Sequence, residues 1–255
     1  MGVFPQRLAM VLVFFLAPLP AAAQTARPPV RLHSAFDELL GRYVSGTRVR
    51  YAAWARSAPD MIALSAYIDR LQAQKPSGWR RDDALAFWID LYNATTLQLV
   101  LKHYPVNSIR EIKGPLRSPW KQMLVRVEGR QLSLEDIEQD KILATFGDPR
   151  VHFALTRAAL GGPALAPKAY TGPKLEAQLE AATREAVNDS SWVAITPGEL
   201  RLSRIFDWYR GDFDHDSSTV ESFLARYRPR DRRALLRGGL ERMYVTYDWQ
   251  LDEAR

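Results

Sequence analysis

The chain has 255 residues, and 35 lysines and arginines against 29 aspartates and glutamates give a net charge of +6. Hydrophobic residues make up 47% and charged residues 25%, a globular balance that excludes disorder, collagen and coiled-coil rods. There is no cysteine, so disulfides, thiolate metal sites, iron–sulfur clusters and a cysteine nucleophile are excluded as well.

Arg7 stands ahead of an apolar run from Leu8 to Leu19, and Ala21, Ala22 and Ala23 close it. That order predicts a cleavable secretory signal over residues 1–23, cut near Ala23, with an exported periplasmic or secreted product. The run is shorter than the roughly 18 residues a membrane anchor needs, and no later segment reads as a span. Residues 24–255 read as a single domain. Arg226, Arg228, Arg230, Arg232, Arg233 and Arg237 crowd around Asp231. We read them as a solvated helix face rather than a nucleic-acid surface.

In chain order, Phe36, Leu39, Leu40 and Tyr43 recur at helical spacing and predict a helix over 33–44. Val49 to Tyr51 reads as a short extended piece, and a helix is expected over 59–74 before Pro76-Ser77-Gly78. The helix from Asp82 or Asp83 to Tyr104 carries apolar residues nearly all round, which marks it as buried. Asp90 and Asn93 are its two mid-helix polar groups. A loop follows around Trp120, then a hairpin turned at Glu128-Gly129. Ser133 and Asp136 read as a capping box opening a helix to Phe146. Val151 to Leu155 fits either a strand or a buried helix. A loop spans 161–167 and a helix 172–188, with short strands over 192–195 and 200–202. Ser218 and Glu221 are expected to cap a helix to Tyr227, followed by a helix over 230–240 and a strand over 243–246. The predicted fold is α+β: one mostly helical domain with a small antiparallel sheet.

His103 reads as a helix C-cap, and His33 carries no signal. His215 lies among Asp212, Asp214 and Asp216, but Ser217 and Phe223 stand where a calcium loop needs Gly and Glu. No metal site and no cofactor is predicted. His152 is flanked by Val151, Phe153 and Leu155, and a half-buried imidazole there is either a satisfied core group or a base. Asp90 and Asn93 cost several kcal/mol to bury unless bonded, so they either bolt their helix to backbone or face a pocket. Glu138 is the third candidate. Nucleophile-elbow, zinc-protease, Walker and dinucleotide patterns are absent.

Three strings, residues 85–94, 132–138 and 148–155, together with later blocks over 202–213 and 247–251, resemble the bacterial domain of unknown function family 547. The resemblance runs from about Val49 to Asp252. It implies a cysteine where Arg157 stands and often another where Gly162 stands. It also implies histidine where Gln139 stands and asparagine where Asp90 stands. Cysteine, histidine and a third polar group make a thiol-hydrolase site, which this chain would have lost. Equally, the missing cysteines fit a lost disulfide or lost packing.

Three functions follow. The leading one is a non-catalytic envelope protein that binds an unknown small ligand or peptide through Asn93, Gln139 and Arg157. The alternative is a thiol-independent hydrolase or transferase with His152 as base and Glu138 or Asp90 orienting it. The last is a purely structural or assembly protein.

Overall fold

A computed structural model of the chain describes residues 26–29, 31–113, 118–214 and 218–254. The signal expected over 1–23 and His215 lie outside the described residues. Helices α1 (Ser34–Tyr43), α2 (Tyr51–Arg56), α3 (Ala58–Gln72) and α4 (Arg81–His103) form the first half. Strands β1 (Val44–Ser45) and β2 (Arg48–Val49) make an antiparallel hairpin between α1 and α2. Tyr51, expected to be extended, instead starts α2. Its ring is fully buried and its hydroxyl donates to Asp252 at 2.9 Å, a long-range demand that three residues of local pattern do not carry.

α4 is the axis of the molecule. From Asp83 to Val100 only Gln98 escapes full burial, because apolar side chains point outward in every direction and neighbours must cover them all. By length and mean hydropathy (1.2) it is also apolar enough to cross a bilayer, contrary to the expectation that no later segment is. Here α3 and other elements of the chain cover it, and 94% of its most apolar window is buried.

The β3 (Val125–Val127) and β4 (Arg130–Leu132) hairpin follows, with Glu128 and Gly129 both at positive φ in its turn. The capping box forms as expected: the Ser133 hydroxyl accepts from the Asp136 N–H, and Asp136 accepts from the Ser133 N–H. The expected single helix is interrupted, however. Short helices α5 (Leu134–Asp136) and α6 (Ala144–Phe146) flank a π-helical stretch, Ile137–Leu143. Val151–Leu155, left open above, resolves into a 3-10 helix over Pro149–Phe153 and the turn after it. Next come α7 (Leu175–Asn188), β5 (Val193–Thr196), β6 (Glu199–Leu202), α8 (Ile205–Trp208) and α9 (Arg210–Phe213). α10 (Val220–Tyr227), α11 (Arg232–Arg237) and β7 (Glu241–Tyr244) complete the order.

The fold is α+β and mostly helical, with one departure in the sheet. β5 pairs antiparallel with β6, but β7 pairs parallel with β6, since the chain crosses over through α10 and α11 before returning. α10 is capped by Thr219, whose hydroxyl accepts from the Ser222 N–H, and not by the expected Ser218 and Glu221. Glu221 is instead drawn to Arg242. Part of the arginine run is also less free than expected: Arg228 donates to the carbonyls of Val187 and Val193 and binds Asp231.

The core has two clusters. One surrounds α4, and the other is built from Phe153, Phe206, Phe213, Phe223 and the sheet. Residues 151–159 run along the seam: Val151, Ala154, Leu155 and Ala158 enter the first cluster, Phe153 and Ala159 the second. A strap, residues 248–254, laces distant segments together. Asp248 and Gln250 accept from the backbone N–H groups of Gly161 and Leu160, and Asp252 and Ala254 bracket Val49.

Candidate functional site

α4 presents Asp90 and Asn93 to two different segments. The Asn93 amide donates to the Ala154 carbonyl and accepts from the Thr156 N–H, both at 2.9 Å. Asp90 accepts from the Tyr170 N–H at 3.0 Å. Its other oxygen lies 2.9 Å from His33 Nδ1, which is also 2.7 Å from the Tyr67 hydroxyl. Burial raises the Asp90 carboxyl, while His33 and the Tyr170 amide act against that rise. Both groups therefore bolt the helix to its neighbours. His33, which carried no signal in the sequence, is buried against Asp90. Only their meeting in space, 57 positions apart in the chain, reveals it. His103 does bond the Leu99 carbonyl in the last turn of α4, at 2.8 Å.

Glu138 is 3% exposed, whereas Gln139 beside it is exposed. The wide π-helical coil turns Glu138 inward to Arg157, whose Nη2 donates to its carboxylate at 2.6 Å and also to the Tyr209 hydroxyl. The pair is sealed, with side chains 9% and 4% exposed. Burial works to lower the Arg157 pKa, but the facing Glu138 more than offsets it and holds the guanidinium above its usual range. Tyr92, Tyr209 and Tyr247 surround this pair, and burial raises all three phenols, so they remain protonated. Arg157 is thus fixed inside the protein by its own carboxylate.

His152 does not meet Glu138 or Asp90. Its Nε2 lies 2.7 Å from Asp212, which the sequence marked only as part of a calcium loop that fails. The imidazole is 0% exposed, stacked 3.9 Å from the Tyr209 ring, and Nδ1 is buried without a partner among the described residues. Asp212 is 38% exposed and lines a small cavity of about 180 Å³. A general base must reach the proton it abstracts. Among the described residues this ring hydrogen-bonds only Asp212.

Of the six residues singled out from sequence, the structure joins Glu138 with Arg157. Asn93 holds the backbone immediately before Arg157, Asp90 faces elsewhere, His152 pairs with Asp212, and Gln139 points outward. Gly162 lies close: a Cβ built there would sit 3.4 Å from Arg157 Cβ and 2.8 Å from the Tyr247 hydroxyl. Among the described residues no cluster of three His, Asp or Glu side chains is placed to hold a metal ion.

A cavity of about 580 Å³ is lined by none of Asp90, Asn93, Glu138, Gln139, His152 or Arg157. One wall is the segment 159–168. The other is α7, presenting Gln178, Ala181, Ala182, Glu185 and Ala186. Gly46 to Arg48 of the first hairpin close one side. No histidine lines it. The sequence marked this segment only as loop, because glycine, proline and alanine carry no chemical signature.

No curated protein and no solved structure matches the chain. A family model described as "Protein of unknown function, DUF547" matches residues 76–186. That range holds α4, the Glu138 turn, the His152–Arg157 segment and all but the last two residues of α7, while Tyr209, Asp212 and the 247–251 string fall beyond it. Over that stretch, short of half the chain, the sequence is similar to this family of unknown function.

Proposed function

We propose that this protein is a non-catalytic binding domain, exported after cleavage near Ala23 to the periplasm or beyond, and that it holds a small ligand or peptide. The observation that carries this reading is the sealed Arg157–Glu138 pair. A guanidinium does not deprotonate at any working pH, so it supplies neither nucleophile nor base. Among the described residues the imidazole beside it is His152, whose side chain is 0% exposed. Chemistry by His152 therefore lacks both an orienting Glu138 or Asp90 and access to a substrate. A purely structural role leaves the 580 Å³ groove without a use.

The pair also shifts the expected binding surface. Arg157 is spent on Glu138, and Gln139 is turned to solvent, so the groove beside α7 is the better-formed receptor. Thermal unfolding of the purified full chain, titrated with peptidoglycan fragments and with peptides, tests the reading. A ligand-specific rise in melting temperature without turnover supports it. Equal melting with every ligand, or hydrolysis of an ester or amide that vanishes in His152→Ala, overturns it. Amino-terminal sequencing of the product recovered from cells tests export, with Gln24 as the expected first residue.

A further inference from the structure

We infer that the groove beside α7 binds an extended peptide through the backbone of residues 164–166, an assignment that rests on the binding reading above and names its ligand class.

The first support is the form of the wall. Pro163 and Leu165 are buried while Ala164 and Ala166 are half-exposed, the period-two alternation of a β-strand. Leu165 anchors this segment in the α4 cluster. Yet it pairs with nothing. Among the described residues no hydrogen bond reaches the backbone N–H or carbonyl of Ala164, Leu165 or Ala166. In a segment of this shape, alternate residues aim N–H and C=O at the same edge, and such an edge is a template for another chain.

The second support is that the segment is held ready. On one side, Leu160 and Gly161 donate to the Gln250 and Asp248 carbonyls at 2.8 and 2.9 Å. On the other, the Ala169 N–H donates to Asp37 at 2.7 Å and the Tyr170 N–H to the buried Asp90 at 3.0 Å. Gln178 adds a bond from its amide to the Ala169 carbonyl at 2.7 Å. A wall fixed at both ends loses little conformational freedom when a ligand docks. Asp90, the buried carboxylate that looked catalytic in the sequence, here serves as an anchor of that wall.

The third support is fit. Ala164 and Ala166 line the cavity together with Ala181, Ala182 and Ala186 of α7, and these small side chains leave room for a second backbone to approach. Pro163 and Pro167 lack N–H groups and bound the free edge to a short run, which disfavours open-ended pairing between copies. The ends differ in charge. Gln178 lies beside Ala169 and Ala159 clusters with Ala182, Ala186 and Val187, so the segment runs antiparallel to α7; Lys168 marks one end, Glu185 and Asp189 mark the other, and Arg48 of the first hairpin adds a positive charge to the lining. A peptide carries opposite charges at its two termini, and this polarity gives it one preferred direction.

The test is selection of random dodecapeptides displayed on phage against the full chain, followed by fluorescence anisotropy with the enriched sequences. We expect one register of alternate N-methylation in the peptide to weaken binding about tenfold or more and the other register to leave it intact. Ala181→Trp, at an exposed position, should abolish binding while circular dichroism and melting remain those of the parent. Amide exchange at Ala164 and Ala166 should slow with peptide bound. No enrichment, or equal loss in both N-methyl registers, overturns the assignment. If saccharides or anions raise the melting temperature and peptides do not, the peptide assignment fails while the binding reading stands. If bound peptides are cleaved, the non-catalytic reading fails instead.

Discussion

Removing the charge of Glu138 should be among the most damaging single changes in this protein. In Glu138→Gln the Arg157 guanidinium keeps its burial and its contact with Tyr209 but loses the carboxylate at 2.6 Å. Both side chains are under a tenth exposed, so water screens the pair little and cannot replace the lost partner. Breaking a buried pair in this way costs about 3–5 kcal/mol, against less than about 1 kcal/mol for an exposed pair. For a domain of this size that is a fall of roughly 6–20 °C in melting temperature. Urea unfolding of Glu138→Leu, Arg157→Met and the double variant Glu138→Leu/Arg157→Met, beside Glu138→Gln, measures the coupling directly. The double variant should recover most of the loss, because two apolar groups need no partner. If each single variant costs less than about 1 kcal/mol, solvent reaches Arg157, the centre is open, and the case against chemistry there collapses.

Other outcomes follow from the same contacts. Asn93→Ala strands the Ala154 carbonyl and the Thr156 N–H in the core and should cost about 1–3 kcal/mol for each orphaned group. Asn93→Asp can make both bonds only while its carboxyl is protonated, so in urea it should be the milder of the two at low pH and lose stability as the carboxyl ionises facing the Ala154 carbonyl. Burial pushes the Asp252 carboxyl from 3.8 up to about 6, with the Tyr51 hydroxyl pulling the other way. The folded state then holds that proton more tightly than the unfolded state, so this residue's contribution falls as pH rises from 3.8 to about 6. Asp252→Asn should remove that decline, and equal pH slopes in parent and variant would contradict it. Arg157→Cys with Gln139→His should label with a thiol probe no faster than Arg157→Cys alone, because residue 139 points to solvent. Arg157→Cys with Gly162→Cys should instead lose both free thiols on air oxidation, since the Cβ separation of 3.4 Å is near the lower end for a disulfide.

The last pair of variants bears on what the sequence could and could not say. The apolar surround of α4, the hairpin at Glu128-Gly129 and the Ser133–Asp136 cap are local patterns, and each formed as written. The inward turn of Glu138 was not legible, because a π-helical stretch leaves no periodic trace in seven residues. Nor was the parallel strand β7, whose direction depends on a crossover and not on its own composition. Among the site residues, chemistry-bearing side chains were recognised one by one, but their partners were not. Arg157 with Glu138, His152 with Asp212 and Asp90 with His33 are separated by 19, 60 and 57 positions, and nothing in a single sequence pairs them. Cysteines at 157 and 162, which the resemblance implies for relatives, would start within disulfide reach, and that separation favours a crosslink over a nucleophile and its base.

The strap at 248–254 ties the behaviour of remote regions together. Its upstream half holds Leu160 and Gly161, and its downstream half holds Val49 and, through Asp252 and Glu253, Tyr51 and Ala52. Detaching it would release one end of the peptide wall and the base of the first hairpin in a single event. Those amides should therefore exchange with solvent deuterium as one cooperative unit. Any molecule that grips the wall would be felt 200 residues upstream of the strap's own carboxylates, at the start of α2.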